Sequence, residues 1–97
     1  MRTLVFRTIA ELEIDEAIDW YRERDLKVAT AFVETVDRIL HSIQLNPFQY
    51  QVVEGDIRRA FLRRFPYMIV YEVTEAELVI ASCFHTSRDP KSLAGRD

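Results

Sequence analysis

Apolar residues recur along this chain with two different periods, and the change of period marks where helix gives way to strand. Residues 2–7 (Arg-Thr-Leu-Val-Phe-Arg) concentrate β-branched and aromatic side chains and predict a first strand. Thr8-Ile-Ala-Glu11 then fits a capping box, in which the Thr8 hydroxyl accepts from a backbone N–H and Glu11 reaches back. Beyond it Ala10, Ile14, Ala17, Ile18 and Tyr21 fall on one helical face, while Glu11, Asp15, Asp19 and Arg22 cover the other. A stronger stripe follows: Ala29, Phe32, Val33, Val36, Ile39, Leu40 and Ile43. Asn46-Pro47 closes it, because the residue before a proline is driven out of the α region. The break between the helices, near residues 24–27, is short enough to make them antiparallel neighbours.

After an uncertain connection over residues 46–56 the period drops to that of strands. Residues 57–64 are basic and mixed, 67–73 are dense in strand formers, and 78–84 are almost wholly apolar. Phe65-Pro66 and residues 74–77 are turns short enough for antiparallel pairing. The expected fold is α+β, in the order β-α-α-β-β-β, with a helical hairpin packed on one face of a mainly antiparallel sheet. Residues 1–97 have room for a single domain and a single core.

Charge changes the picture more than composition does. The net charge is −3, yet it is sorted: residues 1–56 sum to −5, residues 57–97 to +2, and residues 57–71 hold four arginines and no acid. A basic strip on an acidic body argues against a general nucleic-acid binder and for local contact with an anionic partner surface. The single cysteine, Cys83, excludes a disulfide framework and fits a reducing cytoplasm. No apolar run is long enough to cross a membrane, and nothing resembles a signal peptide, so no membrane partner is expected.

The candidate chemistry follows from that strip. Arg58-Arg59 and Arg63-Arg64 form two doublets in one expected strand, each placing one guanidinium on each face of the sheet. Arginine's planar fork suits carboxylates and phosphates; a solvated, edge-protecting face is the plainer alternative. His85 sits where the last strand ends, close in sequence to Arg88, and suits proton transfer or a backbone-bonded structural role. His41 has no evident partner, the two histidines lack metal-ligand spacing, and no glycine-rich phosphate loop or serine elbow is present. No metal or other cofactor is expected. Cys83 reads as a small buried hydrophobe, and Trp20-Tyr21 as core and hairpin packing.

The run Ile57-Arg-Arg-Ala-Phe-Leu-Arg-Arg-Phe-Pro-Tyr67-Met-Ile-Val-Tyr71, followed by Val79-Ile-Ala-Ser-Cys-Phe-His85 and Arg88-Asp-Pro90, resembles the ParE branch of the RelE/ParE toxins of type II toxin–antitoxin (plasmid stabilisation) modules. Ala17-Ile-Asp-Trp-Tyr21, Ala31-Phe-Val and Asn46-Pro47 fit the same family's helical half. The resemblance implies a toxin neutralised by a cognate antitoxin whose carboxyl segment docks across the helical hairpin and the sheet. ParE-like members inhibit DNA gyrase by protein–protein binding, here through Arg58, Arg59, Arg63, Arg64 and Arg88. RelE-like members are mRNA endonucleases on the ribosome, for which Arg59, His85 and Arg88 are the candidates. That branch places an arginine directly after the aromatic opening its third strand, where this chain has Met68, and commonly ends in a tyrosine, which the tail after Arg88 lacks. A neutral thioether cannot stabilise an anionic phosphorane, so the resemblance favours the gyrase branch. A non-toxic binding module of the same fold is the third alternative.

Overall fold

In the computed structural model, which describes residues 2–87, β1 (Thr3–Phe6) leads straight into α1 (Thr8–Arg24). The capping box does not form. Arg7 is the N-cap and no side chain caps the helix. Its N–H donates to the Ile80 carbonyl at 2.9 Å, the last bond of the β1 ladder, while its own carbonyl accepts from Ala10 and Glu11. Strand and helix share this one residue, which leaves Thr8 already inside the first turn and too far along to cap it.

α1 and α2 (Leu26–Leu45) are joined by Asp25 alone. Asp25 is extended; its N–H donates to the Tyr21 carbonyl at 2.8 Å, ending one helix, and its carboxylate accepts from the Lys27 N–H at 2.9 Å, starting the next. That makes the hairpin antiparallel, as the short break predicts. α2 buries Ala29, Phe32, Val36, Leu40 and Ile43, whereas Val33 stands at the edge of the stripe and is exposed. Asn46 ends α2 and caps a 3-10 turn (Pro47–Gln49) by accepting from the Phe48 N–H at 3.1 Å.

The remaining strands are β2 (Gln51–Glu54), β3 (Ile57–Phe61), β4 (Tyr67–Val73) and β5 (Glu77–His85). They form a five-stranded sheet in the order β1-β5-β4-β3-β2, in which only the β1–β5 pair is parallel. The α+β class and the hairpin-on-sheet architecture stand, with two corrections. β2 is a strand that the pattern does not announce, because all four of its residues are exposed and nothing alternates. β3 stops at Phe61, so Arg63 and Arg64 leave the strand for the β3–β4 turn.

One face of the sheet meets the helices. Ala60, Ile69, Tyr71, Val73, Leu78, Ile80 and Cys83 pack with Ala10, Ala17, Phe32, Val36, Leu40 and Ile43 in a single cluster. Tyr71 spans this core and donates its hydroxyl to the Pro47 carbonyl at 2.6 Å, which ties β4 to the 3-10 turn.

Candidate partner-binding site

The β3–β4 turn carries two exposed cations. Leu62 is buried at its start, and Phe65 turns inward at its end to meet Tyr21 and Phe32 edge-on, with ring centroids 5.3 and 5.2 Å away. Tyr67 completes the aromatic cluster at 5.3 Å from Phe32. Between these two anchors Arg63 and Arg64 are both exposed. Arg64 has φ +73°, a left-handed backbone that reverses the chain so that Phe65 can return to the core. None of the three ion pairs among the described residues involves any of the four arginines of the strip.

Arg58 and Arg59 behave differently. Arg58 lies on the helix-facing side, in register with Tyr71. Its guanidinium reaches the rim and donates to the carbonyls of Tyr50 (2.7 Å) and Phe48 (3.2 Å), over the Phe48 ring at 5.2 Å. Those bonds satisfy an arginine on a covered face and fix the connection into β2. Arg59 points to the opposite face, pairs with the Gln51 side-chain oxygen at 3.0 Å and lies 5.3 Å from the Phe61 ring. The four arginines therefore do not form one strip. They divide into a structural bond at the rim, a cation on the open face, and an exposed pair on the turn. Arg88 lies outside the described residues.

His85 faces the helices. Its Nδ1 accepts from the Ser87 N–H at 3.2 Å and lies 2.8 Å from the Ser87 hydroxyl, which places the proton of the neutral ring on Nε2. Its ring meets Tyr67 edge-on at 4.9 Å. Arg59 is on the other side of the sheet, so the two described members of the nuclease constellation do not converge on one point. Met68 is buried beside its register partner Phe84, also on the face away from the helices.

The sequence reading missed what surrounds His85. β1 pairs with β5 only as far as Ile80, and Glu13 of α1 takes over the free edge, accepting from the Ser82 hydroxyl (2.9 Å) and the Cys83 N–H (3.1 Å). A cleft of about 350 Å³ opens there between α1 and β5, lined by Glu13, Glu16, Trp20, Tyr67 and His85 among others. Trp20 is not core, as the pattern suggested: it is 50% exposed and carries the Arg24 guanidinium 3.6 Å above its ring. Tyr21 beside it does pack inward, and burial raises its phenol above the usual range. Cys83 is buried, and loss of water together with the Glu13 charge pushes its thiol up to about 12, so it is an inert hydrophobe as expected. Among the described residues no group of histidines, cysteines and acids is placed to hold a metal, and no helix is long and apolar enough to cross a membrane.

Solved structures share the fold that positions these residues. The chain covers 98% of the toxin-antitoxin structure described as the chromosomal ParDE system from P. aeruginosa, which covers 90% of this chain at 19% identity with a TM-score of 0.76. The isolated E. coli RelE toxin matches with a TM-score of 0.64 at 18% identity, over 99% of this chain and 96% of that one. An E. coli RelE double mutant in complex with an antitoxin RelBc peptide matches at 0.52 and 16% identity, over 99% and 94% of the two chains. At these identities the likeness is one of fold. Among curated proteins none matches the chain by sequence. The sequence model of the ParE toxin of the type II toxin-antitoxin system parDE, in contrast, matches residues 4–90, which cover nearly the whole of the fold described above, and the chain therefore belongs to the ParE toxin family.

Proposed function

We propose that this protein is the toxin of a type II toxin–antitoxin pair that inhibits DNA gyrase by binding it, without catalytic turnover, and that a cognate antitoxin neutralises it. The observation that carries the reading is the Arg63–Arg64 turn: two exposed arginines held between the buried Leu62 and the half-buried Phe65, in a chain of the ParE toxin family. A turn anchored by Leu62 and Phe65 presents its charges with little ordering left to do on binding, which is how a small rigid domain gains affinity. Arg59, on the open face beside Phe61, is the next contact, while Arg58 supports the fold. An antitoxin partner is supported by the family and by the RelE–antitoxin peptide complex among the structural relatives. The nuclease alternative draws no support from geometry that separates Arg59 from His85 by the thickness of the sheet.

The test is a supercoiling assay with purified gyrase. Inhibition is expected from the wild-type protein and is expected to weaken about tenfold or more in Arg63→Gln/Arg64→Gln, since a desolvated arginine pair at an interface is typically worth more than about 1.4 kcal/mol. Folding of that variant is checked by circular dichroism. Gyrase that stays fully active at saturating wild-type protein would sink the proposal.

A further inference from the structure

The cleft between α1 and β5 has a composition that neither the core nor the arginine turn explains. Its helical wall carries Glu13 and Glu16, three residues apart on α1, with Trp20 one turn further on. Its sheet wall brings Tyr67 and His85, register partners whose rings meet edge-on at 4.9 Å. Two carboxylates, an indole, a phenol and an imidazole thus border about 350 Å³, and none of the described residues lining it is lysine or arginine.

Several of these groups are set in place by the fold. The Ser82 hydroxyl (2.9 Å) and the Cys83 N–H (3.1 Å) both donate to Oε1 of Glu13, which pins its carboxylate to the cleft wall. Its charge is felt along that wall: burial first, and Glu13 second, push the Cys83 thiol up to about 12. Glu16 is exposed and takes part in none of the three ion pairs among the described residues. Two like charges on one helical face repel, a cost that a cation placed against both removes. Trp20 shows which cation suits the rings, because the Arg24 guanidinium already lies 3.6 Å from its centroid. A group that satisfies carboxylates and flat rings together must be cationic, planar and weakly hydrated. Guanidinium is all three, whereas an ammonium is a compact, strongly hydrated point charge. The volume lies at the lower end of small-ligand clefts, about 300–1,000 Å³, which suits one inserted side chain and not a helix.

We infer that this cleft is a binding site for the guanidinium group of an arginine side chain, with Glu13 and Glu16 as its anionic partners and Trp20 and Tyr67 as its walls. The inference goes beyond the gyrase reading and does not depend on it. Arg88, three positions after His85 in the sequence, and an arginine of a second protein would supply the same group, and the experiment separates these two sources.

The probe is N-acetyl-arginine N-methylamide, with the citrulline compound as its uncharged twin of the same shape. Both are titrated onto the full-length wild-type protein and onto Arg88→Gln, with the Trp20 indole and Cys83 amide signals followed by NMR. In at least one of the two proteins the arginine probe is expected to bind in the millimolar range and at least about tenfold more tightly than citrulline. Tighter binding to Arg88→Gln than to wild type assigns the site to Arg88 of the same chain; equal binding assigns it to an arginine arriving from a partner. In the Arg88→Gln background, Glu16→Gln changes only an exposed side chain and is expected to lower the arginine preference several-fold while the melting temperature holds. Glu13→Gln is expected to lower it too, while keeping an acceptor for Ser82 and Cys83. An equal response to arginine and citrulline in both proteins overturns the inference, as does a preference that survives Glu13→Gln/Glu16→Gln. Because no gyrase enters this titration, its failure leaves the gyrase reading standing, and failure of the supercoiling assay leaves this site standing.

Discussion

Tyr71 shows how much one polar atom can hold. It is fully buried, its hydroxyl donates to Pro47 at 2.6 Å, and burial pushes its phenol up to about 12 despite the opposing charge of Arg58. Removing the hydroxyl leaves the Pro47 carbonyl without that donor in a dry environment. Tyr71→Phe is therefore expected to lower stability by about 1–3 kcal/mol, read as a shift of the urea midpoint at unchanged slope. The arginines make the same point about context. Four chemically identical side chains within seven positions divide into a rim bond, an open-face cation and an exposed pair, because strand alternation and the end of β3 decide what each one meets.

At the scale of elements, the β3–β4 turn combines charge with backbone strain. Arg64 sits at φ +73°, where a side chain costs about 1 kcal/mol or more relative to glycine. Arg64→Gly is expected to hold stability or raise it by up to about 1 kcal/mol, the relief being partly offset by glycine's freedom in the unfolded chain. Arg64→Val, with a β-branched side chain in the same backbone, is expected to lower it by about 1 kcal/mol or more. Chemical denaturation of the two variants checks this pair, and Arg64→Gly further separates the turn's charge from its shape. If Arg64→Gly is both as stable as wild type and weaker against gyrase, charge is what the turn contributes. α1 also gains a role that its modest pattern conceals: one flank supplies the aromatic packing under the turn, and another caps the free edge of β5 through Glu13.

For the whole molecule, the buried titratable groups set an alkaline limit. Cys83 and Tyr71 both hold their protons to about 12 in the folded state, against ordinary values of 9.0 and 10.0. As pH rises the unfolded chain ionises first and binds fewer protons than the native one, so stability must fall. Their contribution is fully present below about pH 9. It declines from there for Cys83 and from about pH 10 for Tyr71, at up to about 1.4 kcal/mol per pH unit for each group. Urea midpoints measured from about pH 8 to about pH 11 should trace this loss, and Tyr71→Phe should remove its upper part. A flat profile would show that these groups are hydrated in the native state.

Local physics alone determined the two helices, their stop at Asn46-Pro47, the antiparallel hairpin and the principal strands, because helical and strand periods and proline's steric limits act within a few residues. The ParE likeness was legible for the same reason, as an ordered run of strand and turn residues. The tertiary structure decided what depends on distant partners. Arg7 caps α1 in place of the Thr8 box because its N–H is spent on Ile80 in a strand more than seventy positions away. β2 exists because β3 offers it a ladder, not because its four exposed residues ask for one. Arg63 and Arg64 face outward because Leu62 and Phe65 find the core. The hold of Glu13 on the β5 edge became visible only when α1 was laid against β5, since a carboxylate on a helix surface carries no sign of what it will face.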